Sequence, residues 1–195
     1  PEISSGYVPQ GLCYDSTKER FILSGYMKNG SASPVYVLDK SGELIKTVYL
    51  KNKDGSNYVG HGGGIAIGGD YIYLAGGEKH CILAYDYNDL INAQNDDFLT
   101  LKGEFETKTQ TDQLGSAFVT VSGDRLIIGE FYRDKSYPTL DSHKLTTKAG
   151  DYNQALAIEY KLDGNKPLGI NPTPIKAFSM PDHVQGLEIN DGKIY

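Results

Sequence analysis

Four short segments of the chain open in the same way, with a tiny residue, then a large apolar one, then alternation. They are Gln10-Gly11-Leu12-Cys13-Tyr14, Gly63-Gly64-Ile65-Ala66-Ile67, Ser116-Ala117-Phe118-Val119-Thr120 and Gln185-Gly186-Leu187-Glu188-Ile189. The tiny residue falls at positions 11, 64, 117 and 186, so successive openings lie 53, 53 and 69 residues apart. Spacing this even demands one supersecondary unit used several times in tandem. It constrains the fold more than any composition does.

Each opening is followed by a turn rich in Gly, Asp, Asn or Ser and then a second apolar run, at 20–25, 71–76, 125–129 and 193–195. Such turns between alternating runs mark β-hairpins. Third strands are predicted over 34–39, 81–86 and 155–160, and fourth strands over 43–50, 99–105 and 174–178. Only 88–93 suggests a helical turn. The unit is therefore a four-stranded antiparallel meander, and a single meander cannot bury both faces until neighbours stack on it. The predicted fold is all-β: a β-propeller with blades at about 8–57, 58–113 and 114–181 and the start of the next at 182–195, forming a single partial domain. Small residues on each first strand suit the crowding near a central axis. Propeller rings begin at about four blades. The chain is thus expected to be a fragment, a nicked product, or one part of a ring completed by another copy or by further segments.

Composition narrows the partners. The net charge is −6 and the basic residues are scattered, so the electrostatic footprint of a nucleic-acid binder is missing. No apolar run approaches the roughly 18 residues that span a bilayer, so no transmembrane segment is expected. A small molecule or a protein is the expected partner. Abundant Gly (23) and Tyr (15) with no Trp suit a many-turned β protein, and an extracytoplasmic or secreted setting is expected. Cys13 and Cys81 sit in strands of different blades without metal-ligand spacing, and buried thiols are expected rather than a disulfide.

The pattern carried by Gly64-Ile65-Ala66-Ile67 with Gly69-Asp70-Tyr71-Ile72-Tyr73-Leu74, and by Gly186-Leu187-Glu188-Ile189 with Asp191-Gly192-Lys193-Ile194-Tyr195, resembles propellers of the NHL-repeat, gluconolactonase and streptogramin B lyase kind. The likeness lies at the level of the fold. It implies a site at the central channel, and either a lyase with an inner-strand His beside the small residue or a metal-dependent lactonase with a cage of carboxylates. The residues just before the small positions are Gln10, Gly63, Ser116 and Gln185, while His61 and His183 stand three before Gly64 and Gly186. For a cage, the inner strands supply Glu188 with Asp182 nearby.

In a propeller the starts of first strands and the loops between second and third strands converge on one face. That geometry groups His61, His183, Gln10 and Gln185 in a ring, with Tyr26, Glu78, Lys79, Glu130 and Arg133 around it. Gln10, Gln185, Tyr26, Glu78 and Arg133 are the candidate ligand contacts. His61, His183 and Glu130 are the candidate catalytic set, able in principle to hold a divalent metal or to act as acid and base. The competing reading is that the two histidines are duplicated positions bonded to neighbouring backbone. His80 and His143 are expected to be solvated in loops. The segment from Tyr132 to Asn153, which lengthens the third spacing, is expected to overhang the channel mouth as a lid or partner arm, or to be an insertion without a role. The leading expectation is an extracytoplasmic scaffold binding a small molecule or protein at its loop face. The alternative is a metal-assisted hydrolase or lyase.

Overall fold

The computed structural model describes residues 3–77, 79–107, 112–190 and 193–195. Sheet 1 is a meander of β1 (Tyr7–Asp15), β2 (Arg20–Met27), β3 (Pro34–Asp39) and β4 (Leu44–Lys51). Next come β5 (Ile65–Gly68), β6 (Tyr71–Ala75) and β7 (Cys81–Asp86), and then a short helix α1 (Tyr87–Asn92). Asp86 caps that helix by accepting from the backbone N–H of Asp89 at 3.0 Å. The chain continues through β8 (Asp97–Thr100) and β9 (Gly103–Glu106), and β9 completes sheet 2 in the order β5-β6-β7-β9.

Sheet 3 consists of β10 (Phe118–Ser122), β11 (Arg125–Gly129), β14 (Ala155–Leu162) and β15 (Ile170–Met180). Between β11 and β14 the chain makes a long excursion containing the small ribbon of β12 (Leu145–Thr146) and β13 (Tyr152–Asn153). A last antiparallel pair joins β16 (Ile189–Asn190) to β17 (Lys193–Ile194). The chain is all-β, and its three main sheets are antiparallel meanders apart from one parallel strand added to sheet 1.

That parallel strand is β8. The sequence predicts one continuous fourth strand over 99–105, whereas the structure splits it, with β8 pairing parallel to β4 in sheet 1 and β9 pairing with β7 in sheet 2. Burial explains the split. Leu99 and Leu101 both enter the core between sheets 1 and 2, which a single strand confined to sheet 2 does not reach.

First strands stack side by side, with β5 between β1 and β10. A Cβ on Gly11 would stand 2.7 Å from the Cα of Gly64, and one on Gly64 would stand 2.8 Å from the amide nitrogen of Val119. Backbones that close exclude side chains at those positions. The third strand differs from the sequence alignment by one residue. The hairpin ends pair Gly68 with Tyr71 and Ser122 with Arg125, and four residues back from each end stand Gly64 and Phe118. Phe118, not Ala117, thus takes the place of the glycine. Its ring lies over Gly129, the paired residue on β11, where any Cβ would collide with it.

Three apolar layers hold the sheets. Ile22, Val35 and Val37 of sheet 1 meet Ile65, Ile72 and Leu74 of sheet 2. Ala66, Tyr73 and Ala84 on the other face of sheet 2 meet Val119, Leu126 and Ile128 of sheet 3. The far face of sheet 3 carries Phe118, Ile127 and Met180 under Val184, Leu187 and Ile189. The far face of sheet 1 is left open, with Leu12 59 % and Tyr14 49 % exposed. Cys81 is buried and Cys13 half-buried, and neither forms a disulfide. Among the described residues, no helix is long and apolar enough to cross a membrane.

Candidate functional site

Strand β11 ends at Gly129, and the next residue, Glu130, turns its side chain into the protein, where it is only 3 % exposed. Its carboxylate is fully engaged. Oε1 accepts the N–H of Gly115 at 3.2 Å, Oε2 accepts the N–H of Leu156 at 3.0 Å, and His143 Nδ1 stands 3.0 Å from both oxygens. The other ring nitrogen, Nε2, lies 2.8 Å from Oδ1 of Asp112. The imidazole of His143 thus bridges two carboxylates, one at each ring nitrogen. A buried carboxylate of this kind requires a partner, since unpaired ions are costly away from water.

The expectation that His143 is solvated is therefore corrected. It lies in a single 3-10 turn, Asp141–His143, and is 2 % exposed. His80 is likewise half-buried, with Nδ1 3.2 Å from the carbonyl of Leu114. Local sequence gives no sign of either contact, because the partners of His143 lie 13 and 31 residues away.

The excursion from Glu130 to Gln154 is tied down by polar contacts throughout. Arg133 and Tyr137 exchange backbone hydrogen bonds across a tight hairpin in which Lys135 adopts a left-handed φ of 64°. The Phe131 ring packs edge-on to Tyr137 at 5.6 Å between centroids. The Gln154 side chain and backbone N–H both donate to Asp182, at 2.9 and 3.2 Å. Held in this way, residues 131–140 form one wall of a cavity of about 680 Å³. The other walls come from sheet 1 and from loops beside sheets 2 and 3: Gln10 and Tyr26 from sheet 1, His61 ahead of β5, His80 ahead of β7, Ser116 ahead of sheet 3, and Gln185 beyond it. A cavity of this size suits a small organic ligand.

The sequence-derived candidates fall as follows. Gln10, Tyr26, His61, Glu130, Arg133 and Gln185 line this one cavity. Glu78 lies outside the described residues. His183 is exposed, is not among the lining residues, and sets its ring against Phe131 at 5.7 Å. The His61 ring lies against Tyr26, with centroids 4.6 Å apart. His61 and Glu130 line the cavity and His183 does not, and the oxygens of Glu130 are taken by His143 and two backbone amides. Among the described residues, no group of three or more His, Cys, Asp or Glu is arranged to hold a metal ion. Sequence reasoning missed Phe131, Tyr137 and His80 as wall residues, His143 as the partner of Glu130 and Asp112 as the second partner of His143. Only the length of the excursion hinted at them.

No protein-family model matches the chain. No curated protein matches it either. Among solved structures the chain is similar to Kuenenia stuttgartiensis hydrazine synthase, at 14 % identity and a TM-score of 0.40, over 82 % of this chain and 46 % of that one. The chain thus spans about half the length of that relative, and a likeness at this level carries neither fold nor function across.

Proposed function

We propose that the three sheets are successive blades of a β-propeller, and that the protein is an extracytoplasmic scaffold that binds a small molecule at its loop face. The stacked first strands support the propeller, as does the covering of each sheet by the next. So does the open face of sheet 1. Leu12 and Tyr14 stand three and one residues before the hairpin end, as Ile65 and Ile67 do in sheet 2, yet Leu12 is 59 % exposed where Ile65 is 3 %. The same apolar positions are covered in one sheet and bare in the other, as in a ring whose remaining blades come from further segments or another copy. A crystal structure of the intact natural protein tests this. A sheet packed over Leu12 and Tyr14 is expected, and a bare face there overturns the propeller.

The observation that carries the binding role is the cavity, which takes its walls from sheet 1, from the loops beside sheets 2 and 3, and from the excursion. Ligand-observed NMR against a panel of small ring compounds tests it, with Tyr26→Ala as the control. Hits that weaken in the variant are expected. An empty screen, or hits indifferent to Tyr26, would leave the cavity without a role. For the extracytoplasmic setting, fractionation of the source cells decides, and recovery only from cytosol overturns it. The metal-assisted reading gains no support from this geometry, since Glu130 has no free oxygen to offer a metal.

A further inference from the structure

We infer that the cavity takes a small ring compound bearing a carboxylate, with the acid group held by Arg133 and the ring laid against the aromatic side chains of the wall. The inference rests on the cavity being the binding site. Arg133 is the one Lys or Arg among the lining residues, and among the described residues no carboxylate lies within ion-pair reach of it. A guanidinium left unpaired at a cavity wall presents a planar fork of donors that matches a carboxylate.

The one lining carboxylate, Glu130, does not oppose an anion. Its charge is met by His143 and by two backbone N–H groups, all directed at it from within the fold. Nor does Arg133 have to be ordered by the ligand, because its backbone is fixed in the reciprocal hairpin with Tyr137. That hairpin sets Tyr137 beside Phe131, and Tyr26 with His61 supplies a second pair of flat rings. Paired aromatic faces favour planar rings and the apolar faces of sugars alike. Gln113 and Gln185, whose side chains make no hydrogen bond within the described residues, remain available for the polar edges of such a ring. The net charge of −6 disfavours anions at long range, so selection must come from contact inside the cavity.

The test measures affinity by NMR titration in two matched pairs, benzoate against benzamide and galacturonate against galactose, on the wild-type chain and on Arg133→Gln. Each acid is expected to bind at least about tenfold more tightly than its neutral partner, and to lose that margin in Arg133→Gln while the neutral partner is unaffected. Preference for one acid over the other tells an aromatic acid from an acidic sugar. Neutral partners that bind as well as the acids, or acids indifferent to Arg133→Gln, overturn the carboxylate inference yet leave the cavity as the binding site. No binding in either pair, with hits elsewhere in the ring-compound panel, overturns this inference alone. An empty panel overturns the binding role as well. Arg133 is exposed, so the variant is expected to melt with wild type, which separates lost binding from lost folding.

Discussion

Two of the meanders are interrupted, and the interruptions are built in opposite ways. Residues 87–102 leave sheet 2 after β7 and return at β9, and they bury three leucines, Leu90 at 0 %, Leu99 at 3 % and Leu101 at 4 % exposed, while Phe98 stays outside. Their one buried ion is Lys46 of sheet 1, whose ammonium donates to the carbonyls of Leu90, Ile91 and Ala93 at 2.5, 3.1 and 2.8 Å and so caps the C-terminal end of α1. The excursion after β11 buries no apolar side chain between residues 131 and 152 and is pinned instead by His143 between Glu130 and Asp112. An insertion held by apolar burial becomes part of the core. An insertion held by polar contacts leaves its apolar side chains out of the core, and here Phe131, Tyr137, Pro138 and Leu140 form the wall of the cavity. Segments with few buried apolar contacts also open more readily.

The largest effect that separates the two regions should follow from Glu130→Ala. It leaves a buried ring nitrogen of His143 and two backbone N–H groups without their partner, and each buried group left unsatisfied costs about 1–3 kcal/mol. Urea denaturation measures the loss. Amide exchange should show protection falling across 131–153 and unchanged across 87–102. Equal loss of protection in both segments would break the contrast, because the excursion would then not depend on its own cluster.

Lys46→Met comes next. Methionine refills most of the lysine stem but withdraws the donors from three carbonyls at the end of α1, and a buried group left unsatisfied costs about 1–3 kcal/mol. The loss should be confined to 87–102, with affinity for whatever the cavity binds unchanged. A Lys46→Met variant with altered affinity would mean that the two interruptions are coupled.

The difference between the regions also decides what could be read from the sequence. Alternation and turn chemistry located β1, β2, β5, β6, β10 and β11, because a hairpin is specified by residues a few positions apart. The helical turn at 88–93 was legible for the same reason, through its local periodicity. Convergence of strand starts and loops flagged nine residues, of which Gln10, Tyr26, His61, Glu130, Arg133 and Gln185 line the cavity, His183 and Lys79 do not, and Glu78 lies outside the described residues. What the sequence hid were long-range trades. The transfer from sheet 1 to sheet 2 between Thr100 and Gly103 lies inside one continuous alternating run, Leu99 to Phe105. Phe118 stands in for a glycine only because Gly129, on the next strand, makes room for its ring. Glu130 looked like an open catalytic carboxylate because nothing near it in sequence shows that His143 occupies it.

The smallest effect concerns the seam where residues 87–102 meet sheet 1. Tyr87 donates its hydroxyl to Oδ2 of Asp15, and its pKa is pushed up to about 12, first by burial and then by that bond to a carboxylate. The folded state therefore keeps a proton that the unfolded chain loses near pH 10. Its contribution is complete below that value and is lost as the pH rises through about 12. Tyr58 is raised to about 12 as well, so the wild-type protein should lose stability steadily across this alkaline window. In Tyr87→Phe the loss should be shallower while stability at neutral pH falls only slightly, because the Asp15 carboxylate still accepts from the backbone N–H groups of Thr17 and Lys18. Denaturation midpoints measured on either side of the window give the comparison. Identical alkaline slopes for the two proteins would mean that the Tyr87 bond to Asp15 does not form in solution, and that apolar burial alone fastens this region to sheet 1.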